Sequence, residues 1–119
     1  MNTEAITTME EAALEMLRHG IQPIPLYSYE LAAQANAEAV MEGRKLKKPF
    51  MAKAPYLPHT SDPFSWTWMQ RKGHDKDGHI IPADLLTAAQ AHQHHSKDGL
   101  WIGMICGLVS GGLEGIDVD

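Results

Sequence analysis

The last nineteen residues, WIGMICGLVSGGLEGIDVD, constrain the fold more than any other stretch. WIGMIC (101–106) and LEGIDVD (113–119) are short apolar runs of β type. The six residues GLVSGG between them are too few for a crossover, so the runs are expected side by side as antiparallel strands, joined by a flexible Gly-rich turn. Within the second run Asp117 and Asp119 share one face while Ile116 and Val118 take the other. At roughly 3.3 Å of rise per residue the two carboxylates stand roughly 6 to 7 Å apart. That is near enough to converge on one hard cation, Mg²⁺ or Mn²⁺, or to flank a pair of them. An Asp-x-Asp on a solvated strand end is the plain alternative, and spacing alone leaves both open.

A chain of 119 residues suits one small domain. Its single cysteine, Cys106, excludes an internal disulfide and any zinc site built on several thiolates, and fits a reducing, cytoplasmic setting. With no partner close in sequence, Cys106 reads as a buried strand residue rather than a nucleophile. MNTEAITTMEE has neither the basic nor the apolar part of a signal peptide. The longest apolar run, LWIGMICGLV, is short and Gly-rich for a membrane span, so a soluble protein without a membrane partner is expected.

The net charge of −5 is unevenly spread: residues 43–72 carry seven of the ten Lys and Arg against the single carboxylate of Asp62. Such a basic stripe on an acidic body can hold phosphates. Lys45, Lys47, Lys48 and Lys53 are the candidates for nucleotide or nucleic-acid contact, a solvated face being the alternative.

The order of elements follows from caps and periodicity. Thr7 and Thr8 before Glu10 and Glu11 start a helix that Arg18, His19 and Gly20 close. IQPIPL (21–26) is a strand whose Pro23 and Pro25 must lie at an edge or face away from a neighbour. Tyr29–Glu42 is a helix with Leu31, Ala35 and Ala39 on one face. Asp62 and Pro63 open a short helix that ends at Gly73, GHDKDGH is a plain turn lacking the full ligand set of a calcium loop, and Pro82–His95 is a helix buried through Leu85, Leu86 and Ala89. His92, His94 and His95 form its solvated end, and Trp66, Trp68 and Trp101 are expected in the core rather than as stacking platforms. The fold class expected is α/β (α+β), with helices packed on a small sheet.

Four stretches resemble the N-terminal half of the bifunctional DNA primase/polymerase (prim-pol) domain of the archaeo-eukaryotic primase superfamily: EAALEMLRHGIQPIPL, the Lys-Lys-Pro of KLKKPF, TSDPFSW and the closing WIGMICGLVSGGLEGIDVD. In the last, Ile102, Gly103, Ser110, Gly111, Leu113, Asp117 and Asp119 stand where that family has its Ile-Gly strand, Ser-Gly-Leu turn and Asp-x-Asp. The Ala-rich segment between Leu26 and Arg44 and the segment 73–99 are longer than is usual in the family.

The resemblance implies one partial domain over 1–119: an αβ unit over about 1–100 and the first catalytic strands over about 101–119, truncated before the family's later histidine and acidic motifs. It implies metal-dependent, template-directed nucleotidyl transfer in DNA replication, with Asp117 and Asp119 as catalytic metal ligands for Mg²⁺ or Mn²⁺. DNA template and nucleoside triphosphates would be the partners, and a helicase domain could follow. The chain alone is expected to be inactive. A non-catalytic nucleic-acid or nucleotide-binding module of a replication-initiation protein is the alternative.

Overall fold

The computed structural model describes residues 8–46, 48–62 and 65–113. Thr8 opens the first helix, α1 (Met9–Arg18): its hydroxyl accepts the Glu11 N–H at 3.1 Å, and Glu10 and Glu11 lie in the first turn, where the helix dipole favours negative charge. After β1 (Gln22–Leu26), Ser28 caps α2 (Tyr29–Met41) by accepting the Leu31 N–H at 3.2 Å. The short α3 (Thr67–Gln70) runs directly into β2 (Arg71–His74), which turns back into β3 (Ile80–Pro82). α4 (Ala88–His95), β4 (Trp101–Ile105) and a 3-10 turn (Leu108–Ser110) follow. The described residues thus form a mixed α+β fold, with four helices and two antiparallel sheets of two strands each.

β4 pairs with β1, from Gln22 opposite Ile105 to Leu26 opposite Trp101. The other flank of β1 is met by the segment around Pro55: Leu26 and Pro55 form an antiparallel bridge and the Tyr56 N–H donates to the Pro25 carbonyl at 2.8 Å. A residue's N–H and C=O share one side of a strand, so Pro25 turns its donor-less nitrogen away from β4, and Pro23, two residues earlier, does the same. That is how two prolines are tolerated here. Of the two expectations for these prolines, the second holds: they face away from the neighbouring strand, and both are fully buried.

The core gathers Ile24 and Ile105 from this sheet with Leu57, Met69, Leu86 and Val109 from the segments that cover it. Gln22, also fully buried, binds those segments to β1. Its amide donates to the carbonyls of Met69 and Asp84, both at 3.0 Å, and its side-chain oxygen accepts the Leu86 N–H at 2.9 Å. α1 and α4 pack against each other and on β1.

Several expectations are corrected. Arg71 and Lys72 belong to β2 rather than to a helix ending at Gly73, because the Asp75–Gly78 turn pairs them with Ile80–Pro82. Pro63 lies outside the described residues. The helix expected from Pro82 begins only at Ala88, since Pro82 closes β3 and Thr87 forms a capping box with Gln90. Ala89 is exposed; the buried positions of α4 are Ala91, His94 and His95, so of its three histidines only His92 is solvated. Trp66 and Trp68 are 38% and 37% exposed rather than core residues, and Trp101 is half-buried, edge-on to Tyr29. Cys106 lies just past β4 and is half-buried.

Candidate functional site

The approach to Asp117 and Asp119 is described; the two carboxylates themselves lie outside the described residues. Beyond β4 the chain doubles back through the 3-10 turn. The Gly107 N–H donates to the Leu113 carbonyl at 2.8 Å, the two residues form an antiparallel bridge, and the Gly112 N–H donates to the Gly107 carbonyl at 2.9 Å. Gly107 and Gly111 take φ of 94° and 68°, a region in which a Cβ is disfavoured, so the glycines of this stretch make the reversal possible. Ser110 fixes the turn to the sheet: its hydroxyl donates to the Ile105 carbonyl at 2.6 Å and accepts the Gln22 N–H at 2.9 Å. The chain is thus returned beside the end of β4 at Leu113, as the two-strand reading requires, and 114–119 continue from there outside the described residues.

Three of the four lysines fall among the described residues, and all three are exposed. Lys47 lies outside the described residues. Lys45 and Lys48 are exposed on the run that follows α2, whose neighbour Arg44 is engaged by Glu42 at 2.7 Å. Lys53 is placed more firmly. Asn36 of α2 holds Phe50 through two bonds, Nδ2 to the Phe50 carbonyl at 2.9 Å and the Phe50 N–H to Oδ1 at 2.7 Å, and the Lys53 N–H donates to the Tyr27 carbonyl at 2.8 Å. Lys53 has a φ of 70°, unusual for a side-chain-bearing residue. It lines an open, mainly apolar groove of about 490 Å³ with Met9, Leu26, Trp101 and Ile102. Beside it Tyr27 packs on Phe50 and Tyr56 with ring centroids 5.4 and 5.1 Å away; burial, helped by the Tyr56 phenol, pushes the Tyr27 phenol above its usual pKa.

Two clusters gain a shape that the sequence did not give them. At the β2–β3 turn, ligand atoms of Asp75, Asp77 and His79 all lie within 4.8 Å of one another. One Asp75 oxygen already accepts the N–H groups of Asp77 and His79 at 2.8 and 2.9 Å, and all three residues are exposed, so their evident role is to hold the turn. On α4, His92 meets Glu10 of α1 at 3.0 Å, His94 packs between His59 and Trp68, and the His95 Nδ1 lies 3.1 Å from the Ala91 carbonyl. Sequence reasoning missed this arrangement. The capping box of Thr87 and Gln90 marked where α4 begins, but nothing in the sequence marked which face turns inward.

Comparison of the chain with protein-family models, with curated proteins and with solved structures gives no match. Among the described residues no helix is long and apolar enough to cross a membrane.

Proposed function

We propose that this chain is the N-terminal part of a DNA primase/polymerase catalytic domain that joins nucleotides on a template with Mg²⁺ or Mn²⁺ held at Asp117 and Asp119. The observation that carries the reading is the Gly107–Leu113 reversal, which doubles the chain back two residues past β4 and ahead of the Asp-x-Asp. The donor set suits the metal: two carboxylates offer hard oxygens, the ligands that Mg²⁺ and Mn²⁺ take. Ions bound there supply Lewis acidity for in-line attack of a primer hydroxyl on the incoming triphosphate, with pyrophosphate leaving. Lys53, exposed on its anchored loop, and Lys45 and Lys48 on the run before it, offer charge for template or triphosphate phosphates.

The test is template-directed incorporation of labelled nucleotide by the protein encoded by this gene together with the sequence that follows codon 119. Asp117→Asn and Asp119→Asn should each abolish incorporation, because the amide keeps the shape and loses the charge that binds the ion. The 119-residue chain should be inactive, lacking a third acidic ligand, yet Mn²⁺ should raise its melting temperature and not that of the two variants. Unimpaired incorporation by both variants removes the two residues from the site. Binding of DNA or nucleotide without incorporation by the longer protein assigns a non-catalytic replication module instead.

A further inference from the structure

α4 ends on two adjacent histidines that its docking puts out of reach of water. His94 is 5% exposed and His95 1%, and the His94 Nδ1 and His95 Nε2 are buried without a hydrogen-bond partner. The His95 Nδ1 faces the Ala91 carbonyl at 3.1 Å, which makes Nδ1–H the donor and leaves Nε2 a bare lone pair. In this neutral tautomer the interface carries an unpaired lone pair but no charge. A proton on Nε2, or a second one on His94, would place a cation in a packed interface with no anion hydrogen-bonded to it among the described residues, a burial that costs far more than that of a neutral ring.

We propose that the last turn of α4 is an acid-released latch: the helix stays docked on α1 and β1 while His94 and His95 are neutral and comes away when either takes a proton.

The surroundings set the direction. His59, on the segment before α3, faces His94 with ring centroids 6.1 Å apart, and Trp68 of α3 lies 5.8 Å away; burial first, then the neighbouring His59, holds the His94 imidazole below its usual pKa. Burial pushes His95 down to about 4, helped by His94 and opposed by the Ala91 carbonyl and the Glu10 carboxylate of α1. Glu10 is itself engaged by His92 at 3.0 Å, β1 brings no ionisable side chain, and Lys97 and Asp98 stand just beyond the helix. A group whose folded pKa is depressed in this way binds its proton more readily once released. Docking is therefore complete above the free histidine value of about 6.5 and weakens as the pH falls from there toward the folded values.

Release would open the cavity of about 290 Å³ that Glu10 and His95 line with residues 96–100. It would also free Gly99 from its packing on Leu31 and loosen the entry to β4.

Hydrogen exchange on the 119-residue chain between pH 7.5 and 4.5, corrected for the intrinsic pH dependence of the chemistry, tests the latch. Protection of the 91–95 amides should fall below about pH 6.5 by up to tenfold per pH unit for each coupled histidine, while amides of α2 and β1 keep theirs. Glu10→Gln removes the charge that favours protonated His95 in the docked state, so the loss should begin at the same pH, which the released histidine sets, and run on to lower pH, ending deeper than in the parent. Its effect is read in the same experiment and in a parallel NMR titration of the histidine ring protons. Protection at α4 that is flat over this range overturns the proposal. So does loss of protection at α2 and β1 in step with α4, which would make the event global unfolding, or a loss in Glu10→Gln that is shallower than the parent's.

Discussion

The β1–β4 and β2–β3 sheets are both antiparallel pairs, and they differ in almost everything that gives a sheet its strength. In the first, Gln22, Pro23 and Pro25 are fully buried and Ile24 and Ile105 join the core. In the second, Ile80 and Ile81 are 43% and 39% exposed, and the register slips between Arg71 and Gly73. Backbone pairing is common to both. What differs is how far each strand reaches: the Gln22 side chain of β1 bonds the segments carrying Met69 and Leu86 and its N–H bonds Ser110, whereas the hairpin is closed chiefly by its own turn. Strand pairing alone therefore ranks neither region, and long-range side-chain contact ranks both.

The largest effect should come from severing that reach. Gln22→Leu keeps similar bulk and removes every side-chain bond of Gln22, leaving the Met69 and Asp84 carbonyls and the Leu86 N–H without their partner. Unpaired buried polar groups cost about 1–3 kcal/mol each, and partial relaxation brings the expected loss to about 3–5 kcal/mol in urea unfolding. A loss under about 1 kcal/mol would mean that β1 is held by its apolar side chains alone.

Much of the first region could be read from sequence. The Thr8 cap, both strands and the helix after Ser28 rest on short-range signals that tertiary packing did not override. The hairpin was not legible, although its parts were: GHDKDGH was seen as a turn, but Phe64 and Trp68 at helical spacing drew Arg71 and Lys72 into a helix. Only pairing with the β-branched Ile80 and Ile81 corrects that. The burial of His94 and His95 was illegible for a different reason. A histidine is compatible with either side of a helix, and here the choice was made by α1 and the His59 segment packing against that face. Of the candidate site, the glycine reversal was legible and is seen. The anchoring of Lys53 by Asn36 and Tyr27 was not, because charge runs in sequence carry no information about where a loop points.

A smaller effect should follow from attacking the hairpin where it is closed. Asp75→Ala removes the oxygen that accepts the Asp77 and His79 N–H groups, both exposed enough for water to replace it. The expected loss is about 0.5–1 kcal/mol in global unfolding, with local fraying of Ile80 and Ile81 visible by hydrogen exchange. If the loss instead matched that of Gln22→Leu, the hairpin would have to be counted as part of the core, and the contrast between the two sheets would fail.

The smallest effect concerns an ion pair between the hairpin and the segment that Gln22 binds. Lys72 of β2 lies 3.1 Å from the side chain of Asp84, whose carbonyl accepts from Gln22, so this pair is a route by which the hairpin could stiffen the β1 network. Both side chains are more than half exposed, at 55% and 84%, and an exposed pair of this kind is screened by salt and gives back much of its attraction in side-chain entropy. A double-mutant cycle on Lys72→Ala and Asp84→Ala should return a coupling of at most about 0.5 kcal/mol, vanishing in 1 M salt. The backbone carbonyl survives both changes, so the bond from Gln22 is not removed with the charge. A second cycle, Lys72→Ala with Gln22→Leu, should be additive, since Lys72 touches Asp84 through a carboxylate that Gln22 does not use. Coupling in the second cycle without coupling in the first would show that the hairpin communicates with β1 through the backbone rather than through charge, because Gln22 holds the carbonyls of Met69 and Asp84 and the chain leads from each to Lys72 or its partner.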